Sequence, residues 1–551
     1  MYRDLRTNLP REIMGYSDFP FTAEFLGPGY SADPRQFCGH REVLSYLEAF
    51  ADFHDLRPLV RRRTRVLGVE PAGWWAQVIS GADGPSAPGA AAESGAGAAG
   101  AGSEEGELGW VVTTERVASG PLAGPSGRMG GFPGAFGAGS PFGPGALGQG
   151  MGPGLGLGPG LGPVEASLAA GMAAEGGEVQ QELYDAVVVA NGHYSEPRLP
   201  LEVKGMLGPD GEAADGGRAS PFPGEQVHSH NYRSPERWRG KVVLVVGASN
   251  SGEDISRELS AGGAARVLLA ARAWKNDAWG ADPRPYGPGG NIYRMPMVTE
   301  LHADGSATFE GGQREPHVDA VIYCTGFRYT FPFLKGAAAT AAAVYDNCVG
   351  SPGPLWEHML PVGPLGPGLS FLGLPWKVVP FPLAEAQARL VARLLSGRAA
   401  LPPREAMEAD VAAWGETMRQ RGMPKRHSHM LGDDQFAYCD RLAALAGPDV
   451  PRLPPWREAL YRAISKLKRS DPDNYKDGDL TAAVGDGGAT AAAAAADLAA
   501  QAAALTGRPG GSLTGAGAGP ASGPAGPAGY GKGVGFGAAA AVAMPAPRKG
   551  P

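Results

Sequence analysis

The chain has 551 residues, including 86 glycines and 51 prolines, with a formal net charge of −7 at pH 7. Basic and acidic residues are interspersed along it, which argues against nucleic acid as a partner. Its four cysteines show no CxxC spacing, so they indicate no small disulfide framework and fit a reducing, cytoplasmic compartment. The first residues are charged and lack the apolar core of a secretory signal.

A long insertion follows the N-terminal segment. Residues 81–180 are dominated by glycine, alanine and proline and lack the β-branched and aromatic residues that offset chain entropy, so we expect them to be mostly disordered. The stretch GELGWVVTTERV around Trp110 is the exception, because its alternation predicts a strand in a hairpin of a small β-meander. Once such regions are subtracted, enough sequence remains for two domains.

Two apolar strands are predicted to end in similar turns, NGHY at 191–194 and CTGF at 324–327. Gly192 in the first turn and Gly326 in the second would let the backbone come close to a bound group, with Thr325 beside Gly326. The alternative is an ordinary turn at the end of a strand.

The segment from 242 to 252 is typical of a dinucleotide-binding turn. Residues 242–246 are apolar and β-branched, as a buried parallel strand should be, and a serine replaces the middle glycine of the motif that follows. A helix should begin at this turn and offer its N-terminal N–H groups to a pyrophosphate. The alternative is an ordinary tight strand-to-helix turn of an α/β protein, which can show a similar glycine pattern. The candidate binding residues are Gly247, Ser249, Asn250, Ser251 and Gly252.

A second strand is predicted over 265–270. Arg272 follows this strand, at the place where a dinucleotide site contacts the 2′ position of the ribose. An acidic residue there would accept hydrogen bonds from a free 2′-hydroxyl, whereas a cation suits a 2′-phosphate. Arg272 therefore favours NADPH over NADH. The alternative is a solvated charge at a strand end.

The C-terminal third of the chain gives no metal signal and no membrane signal. His427 and His429 lack an acidic or thiolate partner nearby in sequence, so we expect no metal site. We expect residues 478–551 to be a disordered tail in which 489–505 forms at most a transient helix, because Asp497 and Gln501 interrupt its alanines. That run is also too weakly apolar to anchor in a membrane.

One pair of motifs is informative about the family. The segment FPGEQVHSHNY, from Phe222 to Tyr232, leads through a short spacer into KVVLVVGASNSGEDI. This pairing resembles the identifying sequence of flavin-containing monooxygenases, and Tyr232 is similar to this family rather than to Baeyer–Villiger relatives, which carry Trp-Pro there. Five further stretches resemble the plant-type, S-oxygenating branch: MYRDLRTNLPREIMGYSDFPF, VVVANGHYSEPRLP, VIYCTGFRYTFPFL, GLPWKVVPFPL and PKRHSHMLG.

The resemblance implies an α/β protein with two dinucleotide-binding, Rossmann-like domains. An FAD domain split in sequence would enclose an NADPH-binding domain, and His228 of the motif would shape the joint between them rather than take part in catalysis. The implied ranges are 1–80, 181–235 and 317–477 for FAD and 236–316 for NADPH.

The family also has a first GxGxxG turn for FAD, located before the position that matches Asn8. GPGYS near Gly27 does not replace that turn, because no apolar strand precedes it. We therefore expect that the sequence is N-terminally incomplete. The alternative is an inactive NADPH-binding protein that holds no FAD and in which the missing strand leaves an exposed sheet edge.

By the same resemblance, the protein is an FAD- and NADPH-dependent monooxygenase. It would transfer one oxygen atom of O2, through a flavin C4a-hydroperoxide, to a soft sulfur or nitrogen atom of a small thioether or amine. Asn8 matches the asparagine that hydrogen-bonds this intermediate, and Gly192, Thr325 and Gly326 would lie against flavin or nicotinamide. The alternative for Asn8 is a cap on the turn before Pro10. A disulfide reductase of the same fold would need a CxxxxC pair, which the sequence lacks.

Overall fold

The structure, a computed structural model, describes the chain in several stretches. They are residues 2–27, 29–72, 109–117, 177–207, 220–274, 280–350, 354–478, 480–506 and 541–543. Most of the predicted insertion and much of the predicted tail lie outside these described residues. No helix within them is both long enough and apolar enough to cross a bilayer.

Strands and helices are numbered separately in chain order. The strands are β1 (Thr64–Pro71), β2 (Trp110–Arg116), β3 (Val179–Tyr184), β4 (Val187–Val189), β5 (Glu196–Pro197), β6 (Glu225–His228), β7 (Val242–Val246), β8 (Arg266–Ala270), β9 (Asp282–Tyr286), β10 (Ile292–Met295), β11 (Val298–Leu301), β12 (Ala307–Phe309), β13 (Arg314–Glu315), β14 (Ala320–Tyr323), β15 (Phe327–Arg328), β16 (Val344–Tyr345), β17 (Cys348–Val349), β18 (Leu369–Phe371) and β19 (Ala541–Ala543). The helices are α1 (Arg11–Met14), α2 (Ala23–Leu26), α3 (His40–Phe53), α4 (Asn250–Ala261), α5 (Gly336–Ala341), α6 (Pro380–Leu395), α7 (Arg404–Gln420), α8 (Gln435–Ala446), α9 (Pro455–Ser470), α10 (Leu480–Val484) and α11 (Ala489–Thr506).

The largest sheet has six strands in the order β6-β14-β7-β8-β10-β9. All neighbouring strands are parallel except β9, which is antiparallel to β10. Residues 243–246 of β7 are fully buried, as expected for a strand covered on both faces. The predicted strand, turn, helix and second strand are confirmed as β7, α4 and β8. Strands β6 and β14, which pair within this sheet, lie outside the predicted NADPH range of 236–316, and the domain bounds stay a prediction.

A smaller antiparallel sheet has the order β1-β2-β3. Trp110 pairs with Pro71 on one side and with Tyr184 on the other, and its side chain is buried. The meander strand predicted around Trp110 is therefore confirmed. The long chain segments that join these three strands, 73–108 and 118–176, lie outside the described residues.

A third sheet contains β4, the strand that leads into the NGHY turn. β4 pairs in parallel with β18 and in antiparallel fashion with β19. β4 therefore has a partner on each side, and β18 and β19 are the edges of this sheet. Gly27 follows helix α2 rather than a strand, which confirms that GPGYS is not a dinucleotide turn.

The predicted disorder of the tail needs correction over α11, which packs against α9. Nε1 of Trp456 donates a hydrogen bond to the carboxylate of Asp497 at 3.0 Å, and Nε2 of Gln501 donates to the same carboxylate at 2.9 Å. Leu505 is buried in a cluster that includes residues of α9 and of the N-terminal segment. Asp497, which was expected to interrupt the helix, instead accepts the indole N–H, and Gln501 donates to the same carboxylate, which the sequence could not reveal.

Candidate functional site

The turn between β7 and α4 has no room for a side chain at two of its three motif positions. Gly247 has a φ of +104°, and a Cβ atom on it would lie 2.6 Å from the carbonyl oxygen of Cys324. A Cβ atom on Gly252 would lie 1.7 Å from the carbonyl oxygen of Gly247. Close packing of α4 against the ends of β7 and β14 therefore explains both glycines.

The first turn of α4 contains the other predicted residues. Ser249 is the N-cap residue and has an extended backbone, with φ −91° and ψ −168°. The helix begins at Asn250, so the N–H groups of Asn250, Ser251 and Gly252 lie where a helix has no internal acceptors. Ser249 and Asn250 are exposed. This end of α4 can bind a phosphate through N–H groups and the helix dipole.

Arg272 lies just beyond the end of β8, the strand next to β7. Its guanidinium forms an ion pair with the carboxylate of Glu202, and the two side chains are 52% and 54% exposed. The structure therefore places Arg272 at the predicted strand end beside the turn, but with a carboxylate as its partner. A bound 2′-phosphate would have to displace Glu202.

The NGHY and CTGF turns are joined by the short antiparallel pair of β5 and β15, in which Phe327 lies opposite Pro197. Gly192 has a φ of +70° and Gly326 a φ of +85°, and a Cβ atom on either would meet nothing within 4 Å. Backbone conformation, not lack of space, favours glycine at both positions. The hydroxyl of Thr325 donates to the carbonyl oxygen of residue 198, which ties the two turns together.

Asn8 is held by a residue from the opposite end of the chain. Its Oδ1 accepts a hydrogen bond from the hydroxyl of Tyr475 at 3.0 Å. Tyr475 is buried, with its ring 5.5 Å from that of Phe37 between centroids. Among the contacts of the described residues, no side-chain hydrogen bond of Asn8 closes the turn before Pro10, so the capping alternative finds no support there.

The chain from 468 to 477 covers the N-terminal half of α4. Nζ of Lys468 donates to Oδ1 of Asn250 at 3.2 Å, and Nζ of Lys476 lies 3.7 Å from Oδ1 of Asp254. The same segment carries the tyrosine that holds Asn8, so the structure links Asn8 to the dinucleotide turn. Sequence reasoning missed this segment because it contains no motif, and only the fold brings it to α4.

Comparisons with known proteins agree with this geometry. The family model described as flavin-binding monooxygenase-like matches residues 171–279 and 289–454. Flavin-containing monooxygenase FMO GS-OX-like 4 from Arabidopsis thaliana is 33% identical over 478 residues, which are 87% of this chain and 80% of that protein. This chain belongs to the flavin-containing monooxygenase family. The similarity to FMO GS-OX5 from the same plant, 32% over 84% of this chain and 74% of that protein, supports the plant S-oxygenase-like branch.

Two solved structures have a similar architecture. The S-allyl-L-cysteine S-oxygenase from Allium sativum superposes with a TM-score of 0.63 at 31% identity, over 91% of this chain and 84% of that chain. Tmm from Pelagibacter sp. strain HTCC7211 superposes with a TM-score of 0.55 at 19% identity, over 87% of this chain and 79% of that one, which shows the shared fold alone. The prediction of two Rossmann-like domains in an α/β fold is confirmed.

In this flavin-containing monooxygenase, residues of the FxGxxxHxxxY motif serve packing. Phe222 and Tyr232 are both buried, and a Cβ atom on Gly224 would lie 2.4 Å from the ring of Phe222. The hydroxyl of Tyr232 donates to the carboxylate of Glu258 on α4 at 2.7 Å. Burial lowers the pKa of His228 to about 4, so its ring is neutral at pH 7. The role of His228 in shaping the joint stays a prediction.

Glu258 provides a pH-dependent test of this packing. Desolvation raises its pKa from 4.5 to about 7, against the opposing effect of the hydrogen bond from Tyr232. Because the folded state then binds the proton more tightly than the unfolded state, this contribution to stability is full below about pH 4.5 and is lost as the pH rises through about 7. We expect Glu258→Gln to lack this loss, so that its melting temperature relative to wild type rises by about 2–4 °C between about pH 5 and 8.

The matched control for this prediction is Glu408→Gln. Glu408 lies on α7 in an exposed ion pair with Arg404, so its substitution should leave the shape of the pH curve unchanged. Parallel melting curves for wild type and Glu258→Gln across this range would contradict the assigned pKa of Glu258.

His427 and His429 do not form a shared ligand set. Nε2 of buried His429 accepts a hydrogen bond from the N–H group of Val349 at 3.0 Å, and its Nδ1 lies 3.2 Å from Nδ1 of His358. The ring of His427 instead packs against Trp376, at 5.3 Å between centroids. Within the described part of the chain, no group of three or more His, Cys, Asp or Glu side chains could hold a metal ion.

Proposed function

We propose that this protein is an NADPH- and FAD-dependent monooxygenase that transfers one oxygen atom from O2 to the sulfur of a small thioether, with an amine nitrogen as a second kind of acceptor. The observation that carries the proposal is the meeting of two glycine turns, at Gly247 and Gly326, where β7 and β14 end. Ligands of open α/β sheets bind outside the carboxyl ends of the strands. The NGHY turn is tied to the same place through β5 and β15.

The residues of the β7–α4 turn fit a dinucleotide. The absence of side chains at Gly247 and Gly252 lets a pyrophosphate approach the backbone, and N–H groups at the start of the helix would bind it. Arg272 would bind the 2′-phosphate of NADPH after releasing Glu202. We assign the NADPH-binding domain to this sheet and the FAD domain to the sequence on either side of it.

FAD, when bound, would supply the activation of O2 and the transfer of one oxygen atom. The open main chain at Gly192 and Gly326 would let a flavin ring lie against both turns. We assign to Asn8 the role of donating a hydrogen bond toward the reacting oxygen. The bond from Tyr475 to Oδ1 supports this role, because it leaves the Nδ2 hydrogens of the amide to serve as donors.

Sulfur is favoured as the acceptor because of what the relatives are known to oxidise. The structural relative from Allium sativum is an S-oxygenase of S-allyl-L-cysteine. A thioether sulfur is a soft nucleophile, so the protein needs no nucleophilic side chain or acid–base pair to activate it. The remaining task for the chain is to position the thioether and to exclude water.

The test uses the full-length protein with FAD, NADPH and a panel of thioethers and amines. We expect FAD titration to give a bound flavin spectrum, NADPH oxidation to require FAD, and a sulfoxide to form from thioethers with incorporation of one atom of labelled O2. If FAD changes neither the absorbance nor the melting temperature while NADP+ still binds, the inactive NADPH-binding alternative replaces the monooxygenase.

A further inference from the structure

Two lysines from the C-terminal part of the chain contact one face of α4. Nζ of Lys468 donates to Oδ1 of Asn250 at 3.2 Å, and Nζ of Lys476 lies 3.7 Å from Oδ1 of Asp254. Asn250 is the first residue of α4, and Asp254 follows it by about one helical turn, so both lie on the same side of the helix. The contact of Lys468 is therefore at the end of α4 where the proposed function puts a pyrophosphate.

The same two lysines contact the ring of Tyr475. Nζ of Lys468 lies 5.4 Å from the ring centroid and Nζ of Lys476 lies 5.7 Å from it, which are distances of cation–π interactions. The ring is buried, and its hydroxyl donates to Oδ1 of Asn8 at 3.0 Å. The position of Tyr475 therefore depends on two side chains that both contact α4.

The N-terminal segment that carries Asn8 is attached to the same stretch of chain. Nη2 of Arg6 donates to the carbonyl oxygen of Lys476 at 3.0 Å, and its Nη1 lies 2.9 Å from the carboxylate of Asp477. The hydroxyl of Tyr2 donates to Oδ2 of Asp254 at 3.2 Å. A movement of α4 would therefore be felt by the N-terminal segment through several contacts.

The ion pair of Lys476 with Asp254 is largely shielded from solvent. The two side chains are 16% and 20% exposed. A pair this far from water holds its geometry more firmly than a surface ion pair, because the loss of either partner leaves a largely buried charge. This pair can therefore keep Tyr475 in register with α4.

We propose that Lys468 and Lys476 are positioning residues, which act through Tyr475 and link dinucleotide binding at α4 to the orientation of the donor amide. A cation is unfavourable at the positive end of a helix dipole, and a bound pyrophosphate would reverse this effect for Lys468. Dinucleotide binding would therefore strengthen the contacts of Lys468 and, through them, fix the ring of Tyr475. The inference rests on the proposed function, because it takes the β7–α4 turn as the dinucleotide site and Asn8 as the donor.

The first test needs no flavin and measures hydrogen exchange of the full-length protein by mass spectrometry, with and without saturating NADP+. The N–H group of Thr7 donates to the carbonyl oxygen of Cys38 at 2.9 Å, so its exchange reports opening of the segment around Asn8. We expect NADP+ to slow exchange in this segment by about fivefold or more in wild type, as for coupling between two sites. In Lys468→Met and Lys476→Met, NADP+ should still slow exchange in α4 but should lose most of its effect around residue 8.

Two further variants make this test specific. Lys476→Arg keeps the charge and should keep most of the protection around residue 8. Lys241→Met is the matched control, since Nζ of Lys241 lies 5.5 Å from the ring of Trp238, before the first residue of β7 and thus at the opposite end of the strand from the glycine turn. The contact of Lys468 with Asn250 is exposed, so Lys468→Met should fold even if Lys476→Met does not.

The second test measures the ratio of hydrogen peroxide to sulfoxide formed with FAD, NADPH and a thioether. Lys468→Met and Lys476→Met should raise this ratio, as Tyr475→Phe does, and Lys476→Arg should restore it in part. If the lysines act through the tyrosine hydroxyl, Lys476→Met should add nothing to the ratio in a Tyr475→Phe background. A change that only lowers stability would not produce this non-additive pattern.

Three results would overturn the inference. The first is NADP+ that protects α4 of wild type without slowing exchange around residue 8. The second is the same protection around residue 8 in both methionine variants as in wild type, with a weaker NADP+ affinity of Lys468→Met, which would make Lys468 a dinucleotide ligand only. The third is an additive rise of the peroxide ratio in the double variant. If wild type binds no NADP+ at all, the proposed function fails together with the inference, whereas in the three cases above the inference fails alone.

Discussion

Replacing Gly252 with alanine is expected to weaken NADP+ binding and to lower the stability of the fold. The new Cβ atom would lie 1.7 Å from the carbonyl oxygen of Gly247, so either α4 or the turn must move. Overpacking of this kind costs about 1–3 kcal/mol. At about 2–4 °C per kcal/mol for a large domain, the melting temperature should fall by roughly 2–12 °C. Displacement of the first helical turn should also weaken NADP+ by at least about tenfold, because its N–H groups would no longer point at the pyrophosphate. Thermal melting and calorimetry with NADP+ measure the two effects.

Gly415→Ala is the matched control for this substitution. Gly415 lies on the exposed surface of α7, and a Cβ atom on it would meet nothing within 4 Å. Alanine should therefore leave NADP+ affinity unchanged and stabilise the helix by up to about 1 kcal/mol. Wild-type affinity in Gly252→Ala would show that the β7–α4 turn does not hold the dinucleotide.

Replacing Asn8 with alanine is expected to separate NADPH consumption from product formation. If the amide of Asn8 donates toward the reacting oxygen, its loss should leave NADPH oxidation unchanged while less sulfoxide and more hydrogen peroxide are formed. The ratio of peroxide to sulfoxide should rise by at least about tenfold, as for removal of one donor from an oxyanion site. Tyr475→Phe should act in the same direction but less strongly, because the amide remains and only its orientation is released. The measured quantity is the ratio of peroxide to sulfoxide per NADPH consumed.

Tyr30→Phe serves as the control for both Asn8→Ala and Tyr475→Phe. The hydroxyl of Tyr30 bonds to the exposed carboxylate of Asp52, away from the glycine turns, so the peroxide ratio should stay at its wild-type value. A purely structural role for Asn8 gives a different pattern. In that case Asn8→Ala would lower the melting temperature and total NADPH oxidation, with the peroxide ratio unchanged.

The elements around the dinucleotide turn could be predicted from sequence because their signals are local. An apolar, β-branched run such as β7 suits a strand buried on both faces, and Gly247 and Gly252 mark a close approach that other residues would block. The meander strand at Trp110 was predictable for the same kind of reason, since alternation along a single strand reveals which face is buried. The helix at Ala489–Thr506 was not, because its stability depends on an indole N–H that the tertiary fold brings to Asp497.

Sequence alone thus determined the family, the α/β class and the place of the glycine turn between β7 and α4, since each of these follows from short-range spacing and from backbone limits on residue type. Only the tertiary structure decided that Tyr475 holds Asn8 and that Glu202 pairs with Arg272. These contacts join residues from distant parts of the chain. Their partners are set by the order of strands in the sheet and by the packing of helices over it, which no local pattern encodes.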